Sequence, residues 1–597
     1  MKFYSKELNI QFLVALLKLH KIKKVIVSPG TTNLSFVASL QCDAFFELYS
    51  CVDERSAAYM AIGMAEESGE PVVITCTGAT ASRNYMSALT EAYYRKLPIL
   101  AITGTQRIER IGQLNAQVID RSVTPKDICL KSVTVNPVES TIDAYYCQLF
   151  INDAILELKR KGGGPVHINL STGYNRDFSV EKLPEVRLMQ RYSYGDVDNM
   201  PILPQGRIGI FIGSHATFSK EQNDAIERFC LSNNAVAFCD HSSGYYGKYK
   251  LNYSLVAVQE KYKTELTSLD LCVHIGEVSG DYGTLEGLSI REVWRVSPDG
   301  EIRDPFKKLT NVFEMEESDF FRFYSKDGAN GDDSYLKACK VIYSELFNSI
   351  PEIPFSNVWI AYNTIHKLPP HSVLHLGILN SLRTWNLFEL PDSTVSFSNV
   401  GGFGIDGCMS SLIGASLINP QKLYFGVFGD LAFFYDINSL GNRHIGKNLR
   451  IIVVNNGKGT EFKNFYHTGS LFGKDADKYI AASEHFGNQS KELVKHFSED
   501  LGFTYMSAAS KEEFLSNIDL FTNADIDRSI VFEIFTNSED ESVALKTMWN
   551  ISSNNFGLLK DKIDSIIKLA DKTGTLSTFQ NIVGKKGVKF IKKLLQK

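Results

Sequence analysis

The chain has 597 residues, with 63 Lys or Arg against 68 Asp or Glu, which gives a formal net charge of −5. This balance disfavours nucleic-acid binding through bulk charge. Hydrophobic residues make up 44% and charged residues 22% of the chain, which is typical of a globular protein and excludes a disordered, collagen-like or disulfide-scaffold chain. At roughly 100–200 residues per domain, we expect about three to five domains.

The N-terminal segment and the cysteines bear on where the protein works. Residues 1–25 place apolar side chains at helical spacing and lack a small-residue cleavage site, so they predict an amphipathic helix and not a signal peptide. No apolar run approaches the roughly 18 residues that a membrane-spanning helix needs. The ten cysteines are scattered without a Cys-x-x-Cys pair, which favours a reduced, cytoplasmic setting.

Short apolar strands alternate with helical stretches along three parts of the chain. The predicted strands are KVIVSPG, FELYSC, PVVITCTG, PILAITG and PVHINLS, then RIGIFIGSHA, AVAFCDH, LDLCVHIG and EVWRVSP, then SVLHLGI, STVSFSN, KLYFGVFGD, LRIIVVNNG and SIVFEIF. This pattern predicts an α/β protein with three doubly wound parallel-sheet domains. Polar joints place the domains at residues 1–182, 190–340 and 352–545, followed by a basic helical tail at 546–597.

Two polar residues follow neighbouring predicted strands of the third part. Asp430 comes directly after KLYFGVFG, and Asn456 follows RIIVVN. A magnesium ion takes about six oxygen ligands, including carboxylate, amide or backbone oxygens and phosphate. The pattern therefore predicts a magnesium site, with a strand-end turn and an Asn-Gly turn that never meet as the alternative.

Glu54 stands in the segment DERSA, where a strand gives way to an apolar helix. A glutamate at this place can simply favour the helix dipole. If buried, it could instead share a proton with a ring nitrogen. Both interpretations are open from these residues alone.

Seven ordered segments carry a resemblance to a known family. The segments SPG, DERSA, CTGATASRNY, GPVHINL, NVGGFGIDG, GDL and VVNNGKG resemble the thiamine diphosphate-dependent enzymes of the decarboxylase and acetolactate synthase group. Within that group the chain most resembles the menaquinone-biosynthesis synthases, which join isochorismate to 2-oxoglutarate. The resemblance implies a pyrimidine-binding domain, a central domain and a diphosphate- and Mg²⁺-binding domain, in that order.

The resemblance also implies roles for individual residues. Glu54 matches the glutamate that hydrogen-bonds the aminopyrimidine ring, and Gln117 matches an active-site glutamine. The implied magnesium ligands are Asp430, Asn456 and the backbone carbonyl of Lys458. The implied cofactor-binding residues are Thr77, Gly78, Asn84, Asn380, Ser381, Gly404, Ile405, Gly429 and Phe462.

The chain departs from the menaquinone synthases where they hold carboxylates with arginine. It has Thr32 and Val400 at two such positions, and Trp385 at a third, with Arg383 close by. A charged hydrogen bond is worth roughly 1.5–3 kcal/mol, so losing two would weaken binding by orders of magnitude. We therefore do not expect the protein to use isochorismate. We expect a small or neutral acceptor instead.

Glu461 stands where those synthases have an aliphatic residue. In an apolar surround it could act as a catalytic general acid or base. The alternative is a solvent-facing helix residue.

Together these features predict a thiamine diphosphate- and Mg²⁺-dependent carboligase that acts on a small 2-oxo acid donor and a carbonyl acceptor. A simple 2-oxo acid decarboxylase and a non-catalytic assembly subunit are the alternatives. The resemblance implies a homodimer or homotetramer with active sites between subunits.

The C-terminal segment differs in charge from the rest of the chain. Residues 559–597 contain 10 Lys and 3 Asp. They predict a basic helix that contacts an anionic membrane or a partner, or one that packs on its own subunit.

Overall fold

The structure is a computed structural model, and it describes residues 3–121, 123–260, 263–326, 331–485, 487, 490–525 and 527–551. The described residues divide into two compact units. One contains residues up to Tyr192 together with Leu309–Val312, and the other contains Ser193–Lys308 and the described residues from Phe313 onward. The predicted basic tail helix lies outside the described residues from position 552.

The first sheet has six strands: β1 (Lys24–Val27), β2 (Glu47–Ser50), β3 (Val72–Cys76), β4 (Ile99–Thr105), β5 (Lys131–Val135) and β6 (Val166–Ser171). Their order is β2-β1-β3-β4-β6-β5, and all neighbouring strands are parallel. The helices of this part are α1 (Leu8–Leu19), α2 (Leu34–Gln41), α3 (Glu54–Ser68), α4 (Thr80–Asn84), α5 (Met86–Tyr94) and α6 (Thr141–Glu157).

The second sheet has seven strands: β7 (Gln190–Ser193), β8 (Ile208–Ile212), β9 (Val236–Cys239), β10 (Lys250–Leu251), β11 (Ser268–Ile275), β12 (Ser289–Ser297) and β13 (Leu309–Glu314). Their order is β10-β9-β8-β11-β12-β13-β7, and the strands from β10 to β12 pair in parallel. The helices of this part are α7 (Lys220–Asn233), α8 (Ser254–Ala257), α9 (Tyr282–Gly287), α10 (Glu317–Phe323) and α11 (Ser334–Asn348).

The third sheet has six strands: β14 (Val373–Leu376), β15 (Val395–Ser398), β16 (Tyr424–Gly429), β17 (Leu449–Asn455), β18 (Thr504–Ala508) and β19 (Ile530–Phe535). They are parallel, in the order β15-β14-β16-β17-β19-β18. The helices of this part are α12 (Asn357–Thr364), α13 (Asn380–Trp385), α14 (Cys408–Ile418), α15 (Asp430–Tyr435), α16 (Ala476–Tyr479), α17 (Leu493–Asp500), α18 (Lys511–Thr522) and α19 (Ser538–Trp549).

The prediction of three parallel-sheet α/β domains is confirmed. All strands fall within the predicted ranges 1–182, 190–340 and 352–545, although the domain limits themselves remain predictions. The first and third sheets have the same strand order, so β3 corresponds to β16 and β4 to β17. Residues that follow β3 and β16 therefore occupy equivalent places, at the carboxyl edge where ligands bind in open α/β sheets.

The N-terminal helix forms as predicted but is not amphipathic. In α1 the nine consecutive residues from Asn9 to Leu17 are all buried. The helix packs against both α2 and α6, so apolar and amide side chains on every face are covered. Within the described residues, no helix is long and apolar enough to cross a membrane.

Candidate functional site

Glu54 is the first residue of α3 and has a specific partner. The carboxylate of Asp53 caps the helix by accepting the backbone N–H of Ser56 at 3.1 Å. Since Asp53 performs the capping, Glu54 is free of that task. Its Oε2 accepts a hydrogen bond from Asn84 Nδ2 at 3.2 Å, which brings together two residues predicted from separate segments.

The segment Thr77-Gly78 follows β3 and is fixed by Thr32. The hydroxyls of Thr32 and Thr77 share a short hydrogen bond, and Thr32 Oγ1 also accepts the N–H of Gly78 at 3.3 Å. The same hydroxyl donates to the Gly104 carbonyl at 3.1 Å. Thr32 is buried, so these hydrogen bonds are shielded from water. Through them its hydroxyl holds the predicted pyrimidine-side segment in place.

Gln117 lies close to this segment and adopts an unusual backbone conformation. Its φ is +65°, and a Cβ added to Gly78 would lie 3.1 Å from the Gln117 carbonyl oxygen. The close backbone approach explains why glycine occupies position 78. The Gln117 side chain is exposed in the described unit.

His167 is a structural residue on β6. Its ring nitrogens lie 2.7 Å from Thr103 Oγ1 and 2.8 Å from Ser132 Oγ. Burial, aided by the charge of Arg121, lowers the pKa of His167 to about 3. A neutral ring with both nitrogens paired supports the core role expected for it and not a role as a base.

Asp430 and the turn after β17 are brought together by the third sheet. β16 and β17 are neighbours, with Gly429 opposite Val454. Asp430 is 2% exposed, and its Oδ2 accepts the backbone N–H of Gly457 at 2.9 Å. The alternative that the two turns never meet is therefore wrong.

Asn456, next to Gly457, has a buried side-chain oxygen, Oδ1, that accepts no hydrogen bond from the described residues of the protein. Leaving a buried amide oxygen unpaired costs free energy, unless a bound ligand contacts that oxygen. The side chain of Lys458 points to Asp477, with Nζ 3.0 Å from its carboxylate. The Lys458 side chain is therefore engaged elsewhere, and the group that remains for the predicted role as a magnesium ligand is its backbone carbonyl.

Glu461 and Phe462 lie in a short 3₁₀ turn, Thr460–Lys463. Glu461 is 9% exposed, so the solvent-facing alternative is wrong. Its carboxylate forms an ion pair with Arg383 on α13. Phe462 is exposed and packs edge-on against His467, with ring centroids 5.3 Å apart.

Four other predicted residues lie near the carboxyl edge of the third sheet. Asn380 begins α13 and accepts a hydrogen bond from Asn464 at 2.8 Å, and Ser381 beside it is buried. Gly404 and Ile405 precede α14, and Ile405 packs against the core of the third sheet while keeping part of its side chain exposed.

Comparison with known proteins identifies the family. Residues 10–123 match the family described as "Thiamine pyrophosphate enzyme, N-terminal TPP binding domain". The chain is 31% identical to the 2-succinyl-5-enolpyruvyl-6-hydroxy-3-cyclohexene-1-carboxylate synthase of Bacteroides fragilis, over 92% of this chain and 100% of that protein. The Bacteroides thetaiotaomicron synthase is also 31% identical, over 92% and 99%. The chain belongs to this family of thiamine diphosphate-dependent enzymes.

A solved structure, the Rhodococcus jostii RHA1 thiamine diphosphate-dependent 4-hydroxybenzoylformate decarboxylase, also matches. It is 15% identical, covers 89% of this chain and 99% of its own, and gives a TM-score of 0.38.

The residues of this family member fit the cofactor and a metal. The orphaned, buried Oδ1 of Asn456 lies one residue from the amide that contacts Asp430, which gives a carboxylate and an amide oxygen of the type that Mg²⁺ prefers. Within the described residues, no group of three or more His, Cys, Asp and Glu side chains is arranged so that it could hold a metal ion.

The positions of the missing arginines are occupied by packed side chains. Thr32 is committed to Thr77, Gly78 and Gly104. Val400 is buried, and its Cγ1 would lie 3.0 Å from a Cβ placed on Gly280.

Two features of the site escaped sequence reasoning. They are the pairing of Arg383 with Glu461 and the part played by Tyr466, which hydrogen-bonds both. Arg383 and Glu461 are 78 residues apart, and only the opposite charges hint that they meet.

Proposed function

We propose that this thiamine diphosphate-dependent enzyme uses Mg²⁺ to decarboxylate a small 2-oxo acid and join the remaining acyl unit to an acceptor carbonyl. The bond between the keto carbon and the carboxylate breaks, and CO₂ leaves. The keto carbon then bonds to the acceptor's carbonyl carbon, and the acceptor oxygen takes a proton.

The cofactor part of the proposal rests on one observation, the unsatisfied buried Oδ1 of Asn456 beside the Asp430–Gly457 contact. Asp430, Asn456 and the Lys458 carbonyl would hold Mg²⁺ and, through it, the diphosphate. When bound, thiamine diphosphate supplies the electron sink needed to cleave the bond to the carboxylate. Glu54 would hydrogen-bond the pyrimidine ring and hold its proton at Oε, oriented by Asn84.

The remaining residues would line the cofactor and substrates. Thr77 and Gly78 would face the pyrimidine. Gln117 and Phe462 would contact substrate and cofactor, and Ile405 would support the cofactor from below. Asn380, Ser381, Gly404 and Gly429 would complete the cofactor cradle.

The substrate part rests on the packing of Thr32 and Val400. Both side chains are buried, uncharged and packed against neighbours, so neither can pair with a substrate carboxylate. The proposal therefore assigns a small donor and an uncharged acceptor to the site. A substrate without extra carboxylates leaves no buried charge unpaired.

The proposal includes a homodimer or homotetramer with active sites between subunits. Exposed apolar side chains beside Glu54 support a contact with a second copy, since monomers rarely expose such groups together. They are Val52, Tyr59 and Met60. Sedimentation of the cofactor-loaded protein tests this, and a monomer would contradict it.

The proposed setting is the reduced cytoplasm. All ten cysteines are free thiols, and eight of them are buried. Free thiols are typical of a reducing compartment.

The decisive experiment is a side-by-side assay of the enzyme with thiamine diphosphate and Mg²⁺. Pyruvate and other small 2-oxo acids are offered with and without aldehyde or keto-sugar acceptors, against isochorismate with 2-oxoglutarate. CO₂ release with a ligated product identified by mass spectrometry supports the proposal. CO₂ release with free aldehyde alone indicates a simple decarboxylase, and efficient turnover of the isochorismate pair would overturn the substrate assignment.

A further inference from the structure

The guanidinium of Arg383 contacts three side chains. It donates to Glu461, and its Nη1 lies 3.5 Å from the hydroxyl oxygen of Tyr466. Its Cζ lies 5.3 Å from the centre of the Tyr282 ring. Burial lowers the pKa of Arg383, but attraction to Glu461 and Tyr466 outweighs it, so the pKa is raised. The guanidinium is thus permanently charged, and the Glu461 carboxylate already balances its charge.

Glu461 is held in its turn by packed side chains. The Tyr466 hydroxyl lies 3.3 Å from both carboxylate oxygens, and Asn464 Nδ2 lies 3.5 Å from Oε2. Trp549 stacks on Tyr466 at 5.1 Å with an interplanar angle of 4°. The side chain of Glu461 is 11% exposed and that of Arg383 is 25% exposed. This is a fixed, partly buried pair, unlike the loose surface pairs that contribute little.

The pair lies beside the proposed cofactor residues. Arg383 is three positions after Asn380 on α13, and Glu461 directly precedes Phe462. The hydrogen bond from Asn464 to Asn380, 2.8 Å long, ties the two segments together. The pair therefore belongs to the same group of side chains as the site.

We infer that Glu461 is a specificity-determining residue, which neutralises Arg383 and so excludes substrates that carry an additional carboxylate. The inference rests on the proposed function, because it places the pair on the substrate side of that site. A substrate carboxylate at Arg383 would share that cation with Glu461, so two partly buried carboxylates would be balanced by a single positive charge. A hydroxyl or carbonyl group meets no such obstacle. The pair thus discriminates by repulsion as well as by fit.

A binding experiment tests this without requiring turnover. Calorimetry measures glutarate binding to the enzyme loaded with thiamine diphosphate and Mg²⁺. Glu461→Gln keeps the size of the side chain but releases Arg383, so it should bind glutarate about tenfold or more tightly than the wild type. Glu461→Asp retains the charge and should bind glutarate as weakly as the wild type. The double variant Glu461→Gln with Arg383→Gln should lose the gain.

Steady-state kinetics provide a second readout. If Glu461 had only a structural role, its replacement would not favour one substrate over the other. The substrates are 2-oxoglutarate and 2-oxovalerate, which have the same chain length but differ in the distal carboxylate. Glu461→Gln should raise the ratio of kcat/KM for 2-oxoglutarate over 2-oxovalerate about tenfold, chiefly by lowering the KM for 2-oxoglutarate. General loss of packing would lower both values together. If Glu461→Gln does not fold, Glu461→Leu serves the same test.

The outcomes separate this inference from the proposed function. If the released Arg383 gains no affinity for glutarate, the inference is overturned, even if the enzyme ligates small 2-oxo acids. If glutarate affinity rises but no 2-oxo acid is turned over, the proposed function fails while the charge relationship stands.

Discussion

The backbone N–H of Gly457 donates to Asp430 Oδ2 at 2.9 Å, so the turn after β17 is tied to the first residue after β16. Asp430 Oδ1 meanwhile accepts the N–H of Leu431 at 2.9 Å. These contacts orient the carboxylate before any ligand arrives, and they tie it to the residue that directly follows Asn456.

Replacing Asp430 should weaken cofactor binding strongly. In Asp430→Ala the charge that would balance Mg²⁺ and the acceptor for Gly457 are both lost, and we expect affinity for thiamine diphosphate with Mg²⁺ to fall by roughly 100-fold or more. Calorimetry checks this. The matched control is Asp436→Asn, since buried Asp436 accepts hydrogen bonds from Ser410 and should affect melting temperature but not the Mg²⁺ requirement. Wild-type affinity in Asp430→Ala would refute the metal assignment.

Replacing Glu54 should separate binding from chemistry. Glu54→Gln keeps the shape and a hydrogen bond, but an amide cannot hold the proton at the pyrimidine ring. We expect the cofactor to bind while deuterium exchange at its reactive carbon slows by roughly 10²–10⁴-fold. Exchange measured by NMR checks this, and an unchanged rate would remove Glu54 from the mechanism.

The neighbouring Asp53 provides the control. Asp53→Ala removes the helix cap to Ser56 and should lower the melting temperature slightly. Proton exchange should remain close to that of the wild type.

His167 should make the protein sensitive to acid. Its folded pKa of about 3 lies below its unfolded value of 6.5, so its contribution to stability is fully present above pH 6.5 and is lost as the pH falls toward 3. At pH 5 the expected loss is about 2 kcal/mol relative to pH 7. His167→Gln should flatten the difference between urea midpoints at pH 7 and pH 5, and an unchanged difference would contradict this assignment.

Gly280 should be intolerant of any side chain. An added Cβ would lie 2.3 Å from Cδ2 of Leu382, which is itself fully buried on α13 beside Arg383. Overpacking of this kind costs roughly 1–3 kcal/mol. We therefore expect Gly280→Ala to lower both the melting temperature and kcat/KM. Gly401, where an added Cβ has open space, is the control position, and its alanine variant should keep the wild-type melting temperature.

The strands that sequence reasoning missed lie mainly at sheet edges. β5, β7, β10 and β18 are edge strands, and each mixes buried residues with half-buried or exposed ones. An edge strand in contact with solvent lacks the continuous apolar run that marks a central parallel strand such as β17, where every residue is buried. β13 was missed as well, although four of its six residues are buried.

The candidate site was predictable where it depends on strand ends. Asp430 and Asn456 could be placed because neighbouring parallel strands end at one edge of a sheet. The contact between Asn84 and Glu54 could not, since no local pattern links residues on different helices. The contacts of Arg383 could not be predicted from the sequence either, because Tyr466 and Tyr282 meet it only through tertiary packing.

The stacking of Trp549 on Tyr466 gives the protein a built-in optical reporter. The chain has four tryptophans, and the other three, Trp294, Trp359 and Trp385, are buried in packed interiors. Trp549 is the one whose ring lies against a side chain that hydrogen-bonds Glu461. Any ligand that displaces Tyr466 will change the emission of that indole, so occupancy of the site can be followed by intrinsic fluorescence without a label.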